Sequence, residues 1–138
     1  MNRRFFLCLL GYALLTMILG PLWYLAIFKD TYHTFAIYNR AEPMIPLGFL
    51  SMWIQGAVLA WMFPRWLDRS APYASGLRFA LLMGVFMFTL TAFAAAAKTE
   101  VNGLPAFLGL QAVFHIVQFV ATGLIFGWVH RHPAPAAG

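Results

Sequence analysis

The chain has 138 residues, of which 62% are hydrophobic and only 9% are charged. A soluble domain carries about 25% charged residues, so nine basic and four acidic side chains could not cover the surface of a soluble protein of this length. A disordered chain is excluded too, because disorder accompanies low hydrophobicity and high charge. The composition therefore predicts an integral membrane protein of one domain.

The net charge of +5 and the single cysteine narrow the classes of partner and site. Apart from the Arg3-Arg4 pair, the basic residues are scattered between apolar runs and form no basic stripe, so we expect no nucleic-acid partner. Cys8 has no second cysteine with which to form an intrachain disulfide, and no zinc or iron–sulfur spacing can be built from it. We expect neither a metal nor a cofactor.

Four apolar segments predict four transmembrane helices, at about residues 5–28, 44–64, 76–97 and 105–129, followed by a short cytoplasmic tail at 130–138. Each segment has about 20 residues or more, which is enough to cross a hydrocarbon core of about 30 Å. The expected fold is an all-α bundle with up-down-up-down topology. Pro21 lies inside the first segment and predicts a kink there.

Lysine and arginine are distributed unequally between the two ends of this bundle. The end that holds both termini carries six: Arg3, Arg4, Arg65, Arg69, Arg78 and Arg131. The opposite end carries three: Lys29, Arg40 and Lys98. The positive-inside rule therefore predicts a multi-pass protein of the inner (plasma) membrane with both termini in the cytoplasm.

The fourth segment carries one narrow polar stripe. Gln111, His115, Gln118 and Thr122 are spaced by four, three and four residues. At 100° per residue these positions fall within an arc of about 60°. A stripe of this kind must face protein or water, because lipid offers no hydrogen-bond partners.

Counting from the segment ends places polar residues of all four segments near the bilayer centre. The candidate ligand-binding layer consists of Thr16, Ser51, Gln55, Thr89, Gln111, His115, Gln118 and Thr122. It could be a set of interhelical hydrogen bonds, worth about 0.6 kcal/mol each on average, or a site for a small polar or amphipathic molecule. Catalysis or metal binding by His115 is a third interpretation. One histidine with two glutamines lacks the soft or anionic partners of a stable metal site, which disfavours metal binding.

A second cluster of candidate residues lies in the outer loops. Its members are Asp30, His33, Arg40, Glu42, Lys98 and Glu100. Asp30 and His33 are three residues apart and could share a helix face, which by itself is a weak metal signal. Exposed ion pairs, worth about 0–1 kcal/mol, are the more common role of such charges.

Small residues mark a possible contact surface on the fourth segment. Gly123 and Gly127 form a small-xxx-small step, which lets two helices approach closely. Such a step could serve packing within the chain. It could equally form a homo-oligomer or join the chain to a larger membrane complex.

A weak internal repeat relates the first and third segments. Arg4-Phe5, Gly11 and Thr16 recur as Arg78-Phe79, Gly84 and Thr89 at closely similar separations. A true repeat would make the bundle two similar hairpins related by an axis along the membrane normal. Chance matching is the alternative, because few residue types are in use.

The sequence contains no common catalytic motif: no phosphate-binding glycine loop, metalloprotease motif or nucleophile elbow is found. The expected function is a non-enzymatic accessory or structural membrane protein. The alternative is a small transporter or carrier with a midplane site, and a membrane enzyme using His115 is the third. A fully paired polar layer favours the structural function, whereas a cavity lined by Gln55, His115 and Gln118 favours transport.

Overall fold

Every regular element in the computed structural model is helical, within the residues that the structure describes, 3–37, 42 and 44–132. The α-helices are α1 (Arg3–Pro21), α2 (Lys29–Phe35), α3 (Ile45–Met62), α4 (Pro72–Phe88), α5 (Ala94–Ala96) and α6 (Leu104–His130). Two π-helical segments, Leu22–Ile27 and Thr89–Phe93, continue α1 and α4, and a 3₁₀ turn, Phe63–Arg65, continues α3.

Four continuous helical stretches are long and apolar enough to cross a membrane, judged by length and composition. They are Arg3–Ile27, Ile45–Arg65, Pro72–Ala96 and Leu104–His130. Each coincides with one of the four predicted segments. The largest difference is at the third, which begins at Pro72 rather than Gly76, because proline fits the first position of a helix, where its missing N–H costs nothing.

The first helix continues through Pro21 and changes its hydrogen-bond pattern directly after it. Residues Leu22–Ile27 are π-helical. Proline has no N–H and its ring conflicts with the carbonyl four residues earlier, so the regular ladder is interrupted at this point. The irregular backbone thus begins at the position where the sequence predicts a kink.

Helix α6 lies at the centre of the packing. Eleven of its residues are buried, against three of α3. It packs against α4 most extensively and also against α1, whereas α3 packs mainly against α1. The predicted repeat would make α3 and α6 equivalent, but the packing does not follow it, because one helix is central and the other peripheral.

Glycines let α4 and α6 come into backbone contact. A Cβ atom on Gly123 would lie 2.8 Å from the carbonyl oxygen of Gly76, and one on Gly127 would lie 2.7 Å from the Cα of Tyr73. Both distances are too short for a real side chain. The Gly123–Gly127 step therefore serves packing within the chain. An oligomer through the same two glycines would require α4 to leave this position.

Two aromatic-rich clusters fill the interior, one toward each end of the helices. The first includes Cys8, Tyr12, Phe63, Phe79, Phe119 and Phe126. The second consists of Trp23, Tyr32, Phe35, Ala92, Phe107 and Phe114. In the first cluster the Phe63 ring centroid lies 5.5 Å from that of Phe79 and 5.4 Å from that of Phe126, which joins the end of α3 to α4 and α6. We call the end that contains Arg3, Arg4, Arg65, Arg69, Arg78 and Arg131 the basic end, and the opposite one the aromatic end.

The contact at Gly123 is open to a direct test. Gly123→Ala is expected to lower the free energy of unfolding by about 1–3 kcal/mol, because the added methyl group meets backbone atoms that cannot move aside. Gly109→Ala on the same helix is the matched control, since nothing lies within 4 Å of its Cβ position. Thermal unfolding in detergent measures both. Equal stability of the two variants would contradict the close packing of α4 on α6.

Candidate functional site

All four members of the α6 polar stripe are buried, as their spacing predicted. Gln111 is 1% exposed, His115 7%, Gln118 5% and Thr122 1%. A buried polar group is costly unless it is hydrogen-bonded. The partners of these side chains therefore define what the candidate site can do.

Gln118 joins α6 to α1 and, through Tyr12, to α3. Its Nε2 atom donates to Thr16 Oγ1 at 2.9 Å and lies 3.4 Å from the Tyr12 hydroxyl. The Tyr12 hydroxyl donates to Gln55 Oε1 at 2.7 Å, and Gln55 Nε2 donates to Ser51 Oγ at 2.8 Å. We call these five residues the Gln118 network. It connects three helices through side-chain bonds alone.

His115 joins α6 to the π-helical segment that follows α4. Its Nδ1 atom lies 2.7 Å from the carbonyl oxygen of Gln111, and Nε2 lies 3.0 Å from Thr91 Oγ1. A carbonyl oxygen only accepts, so Nδ1 carries a hydrogen. In a neutral ring Nε2 is then the acceptor, and Thr91 donates to it. The same hydroxyl lies 2.8 Å from the carbonyl oxygen of Met87, which competes for its single hydrogen.

The side chain of Gln111 belongs to the aromatic end. Its Oε1 atom accepts a hydrogen bond from the Tyr24 hydroxyl at 2.7 Å. Beside it, Trp23 Nε1 donates to the Tyr32 hydroxyl at 3.2 Å, and burial raises the pKa of Tyr32 above its ordinary value. Thr122 donates to the carbonyl oxygen of Gln118 in its own helix at 2.8 Å. The polar stripe of α6 thus serves several separate contacts.

The threonine that contacts His115 is Thr91, whereas Thr89 is the threonine predicted for the polar layer. Thr89 is exposed, and its hydroxyl donates to the carbonyl oxygen of Phe86 in its own helix. Thr91 is the residue that reaches His115. Depth alone cannot separate the two, since they are two residues apart. The helix face separates them: at 100° per residue Thr91 falls within about 20° of Gly84, which packs against Phe119 of α6, whereas Thr89 falls about 140° away.

Tyr12 and Tyr24 also belong to this set of hydrogen bonds, although neither is among the predicted site residues. Both tyrosines place an apolar ring in a cluster and a hydroxyl on a glutamine. A buried tyrosine usually finds a partner for its hydroxyl. Tyr12 lies one helical turn from Thr16, a spacing that the sequence itself contains, whereas Tyr24 lies beyond Pro21, where the helix is no longer regular.

The outer-loop candidates do not form a site among the described residues. Asp30, His33, Glu42, Lys98 and Glu100 are all exposed, and no hydrogen bond or ion pair joins them within the described ranges. Arg40 lies outside the described residues. The backbone holds this end instead: the N–H of Asn102 donates to the carbonyl oxygen of Phe35 at 3.1 Å.

The buried part of the polar layer is fully hydrogen-bonded. Every buried side-chain nitrogen and oxygen atom in the described part of the chain has a hydrogen-bond partner. Two depressions lie elsewhere: an apolar one of about 70 Å³ between α1 and α3, and an open one of about 380 Å³ at residues 96–104. Neither is lined by Gln55, His115 or Gln118.

Comparisons with protein-family models, with curated proteins and with solved structures found no match for this chain. A function for this chain is therefore proposed from its own sequence and geometry.

The His115 contact yields a prediction with a matched control. Thr91→Val is expected to cost about 1 kcal/mol more in unfolding free energy than Thr89→Val, because only the first leaves His115 Nε2 without its partner. Both substitutions keep a β-branched side chain in the same segment. In unfolding measurements, the double variant of Thr91→Val with His115→Leu should lose less free energy than the sum of the two single variants. The double variant of Thr89→Val with His115→Leu should lose the sum of the two. Similar losses for both threonines, without coupling, would contradict the contact.

Proposed function

We propose that this chain is a non-enzymatic structural or accessory protein of the bacterial inner membrane, which it crosses four times in up-down-up-down order. The observation that carries the proposal is the pairing of its interior polar side chains across helices. Gln118, Tyr12 and Gln55 bond to one another and to neighbouring hydroxyls, and these bonds fix the positions of three helices.

The apolar exterior supports the membrane location. Large side chains such as Ile18, Ile45 and Val85 are 64%, 65% and 64% exposed. Exposed apolar area costs about 25 cal/mol per Å² in water, and a lipid surrounding removes that cost. The polar side chains lie inside and the apolar ones outside, which is the arrangement expected for a helix bundle in lipid.

The order of contacts supports the up-down topology. Cys8 lies near His130, with Sγ 3.9 Å from Nδ1, Thr16 bonds to Gln118, and Tyr24 bonds to Gln111. From one contact to the next, the residue number rises on α1 and its continuation and falls on α6. The two helices therefore run in opposite directions.

The charge distribution supports an orientation with the basic end in the cytoplasm. Six arginines lie at this end, against two lysines among the described residues of the aromatic end. Trp61, Trp66 and Trp128 are 60%, 52% and 50% exposed there, as expected of residues at a membrane–water interface. Both termini would then be cytoplasmic.

A small carrier is the second candidate, and one observation favours it. The Gln118 network is not enclosed on the α3 side, where Ser51 is exposed and Gln55 is half-buried. A polar molecule that replaced the Gln55–Ser51 bond would reach the Tyr12 hydroxyl next. The structural proposal takes precedence because these groups are already bonded to one another.

The proposed topology is tested with reporter fusions at the C-terminus. A reporter active only in the cytoplasm should be active, and one active only in the periplasm should be inactive. Retention of the protein in membranes after carbonate washing tests the membrane location itself. A periplasmic C-terminus would contradict this topology. It would mean either an odd number of spans or an N-terminus in the periplasm.

Substitutions in the Gln118 network separate the structural function from transport. Gln118→Leu removes the bonds to Thr16 and Tyr12 and should lower the free energy of unfolding by about 1–3 kcal/mol. Gln55→Leu and Ser51→Ala lie at the open edge and should cost less. In the structural proposal, any cellular defect of the three variants follows the amount of folded protein. A variant that keeps the normal folded amount but behaves like a deletion would instead support a ligand or transport site.

A further inference from the structure

Helix α3 is covered by the bundle on one side only. Its buried residues are Gly56, Leu59 and Ala60, which at 100° per residue share one face of the helix. A Cβ atom on Gly56 would lie 3.3 Å from the carbonyl oxygen of Leu9, so this face is the one that packs on α1. Residues 45–51 are exposed throughout. The opposite side of α3 therefore has no covering element within the described part of the chain.

The uncovered side of α3 carries a regular stripe of four residues. Leu47, Ser51, Ile54 and Val58 follow one another at spacings of four, three and four. At 100° per residue they fall within an arc of about 60°, centred about 160° from the buried residues of the same helix. Leu47, Ile54 and Val58 are 58%, 56% and 48% exposed, and Ser51 is exposed too. We call these four residues the α3 stripe. Its spacing is that of the contact positions between two helices that cross at a small angle.

Ser51 is the polar member of the α3 stripe, and its hydroxyl hydrogen is unused. The Oγ atom accepts a hydrogen bond from Gln55 Nε2 at 2.8 Å, and its own hydrogen has no acceptor among the described residues. Ser51 lies one helical turn from Gln55, the middle residue of the apolar stretch Ile45–Arg65. At that depth lipid chains offer no acceptor, and an unpaired hydroxyl costs free energy. The stripe therefore favours a partner that brings a hydrogen-bonding group to this depth.

We propose that a second copy of this chain packs against the α3 stripe, with a twofold axis along the membrane normal between the two α3 helices. Equal residues then face one another at equal depth, so the group opposite each Ser51 is the Ser51–Gln55 pair of the other copy. Ser51 Oγ and Gln55 Oε1 have each accepted one hydrogen bond, at 2.8 and 2.7 Å, and each keeps a free lone pair. Both hydroxyl hydrogens therefore gain an acceptor in the dimer.

A second copy fits the α3 stripe better than a lipid chain does. A lipid chain would cover Leu47, Ile54 and Val58 but would leave the Ser51 hydroxyl unpaired. Serine side chains that bond across helices are a common means of association in membranes. The inference rests on the membrane location proposed above, where the same charge distribution gives both copies the same orientation.

Disulfide cross-linking in native membranes tests the geometry of the dimer. Cys8→Ala removes the single cysteine, so that each introduced cysteine can pair only with its copy in a second chain. Ile54→Cys and Val58→Cys should then yield cross-linked dimers under oxidation. Val85→Cys on α4 and Phe49→Cys on the other side of α3 are the controls, since both positions are exposed, 64% and 40%, and lie outside the stripe. They should yield less than about a fifth as much dimer, because a disulfide needs Cα atoms within about 7 Å of one another.

Sedimentation equilibrium of the full chain in detergent micelles tests the role of the hydroxyl. Ser51→Ala should raise the dissociation constant of the dimer about three-fold, the average effect of one interhelical hydrogen bond. Ser51→Thr keeps the hydroxyl group and should leave the constant within about 1.5-fold of the unaltered chain. This measurement retains Cys8, so it does not depend on the cysteine-free background.

Three outcomes would overturn the dimer. The first is a monomer in micelles together with no cross-link at Ile54 or Val58. The second is cross-linking of Val85→Cys or Phe49→Cys as extensive as that of Ile54→Cys, which would show random collision. The third is an equal dissociation constant for Ser51→Ala, Ser51→Thr and the unaltered chain, which would remove the hydrogen bond that selects a second copy. Release of the protein by carbonate washing would instead contradict the membrane location, so the two proposals fail separately.

Discussion

The polar stripe of α6 constrains the rest of the bundle, because its side chains need partners that a single helix cannot supply. Gln118 bonds to residues of α1, and His115 bonds to the continuation of α4. Each neighbour must therefore lie beside α6 at a depth where its own hydroxyl is available. A helix displaced by a turn would leave a buried group unpaired, at about 1–3 kcal/mol, in addition to the packing that it would lose. Hydrogen bonds that are individually weak thus help to fix the register of the neighbouring helices against α6.

The glycine contact between α4 and α6 and the His115–Thr91 bond depend on the same helix placement. Gly123 and Gly127 bring α4 within backbone contact near the basic end. Further along, a Cβ atom on Gly84 would lie 2.9 Å from the Phe119 ring, so the helices remain close up to the depth of the network. That closeness allows a short threonine side chain to reach the histidine ring. A larger residue in the contact would lengthen this distance as well as disturb the packing.

The four long apolar helical stretches could be predicted from sequence, because they depend on hydropathy and length. The inward-facing side of α6 could be predicted too, because it depends on regular periodicity. The 100° step correctly placed Gln111 and Thr122 on a buried face although they are eleven residues apart. The partners on other helices could not be predicted in the same way. Tyr24 lies in a π-helical segment, where the step differs, and hydropathy gives no sign of that segment. Thr91 shares a helix face with Gly84, but the sequence does not say which face of α4 packs on α6. The central place of α6 and the peripheral place of α3 follow from tertiary packing, since both helices read as equally apolar segments.

The unequal packing of α3 and α4 limits how the polar network can open. α4 is held against α6 by backbone contact near Gly76, Gly123 and Gly127 and by the packing of Gly84 on the Phe119 ring, and separating the two helices would break these contacts together with the His115 bond. α3 is anchored near its end, where Phe63 packs against Phe79 and Phe126, while its residues 45–51 are exposed. Regions with few buried contacts open at the lowest free energy. Residues 45–51 of α3 are therefore expected to separate from the bundle most easily, with the α4–α6 pair as the rigid part.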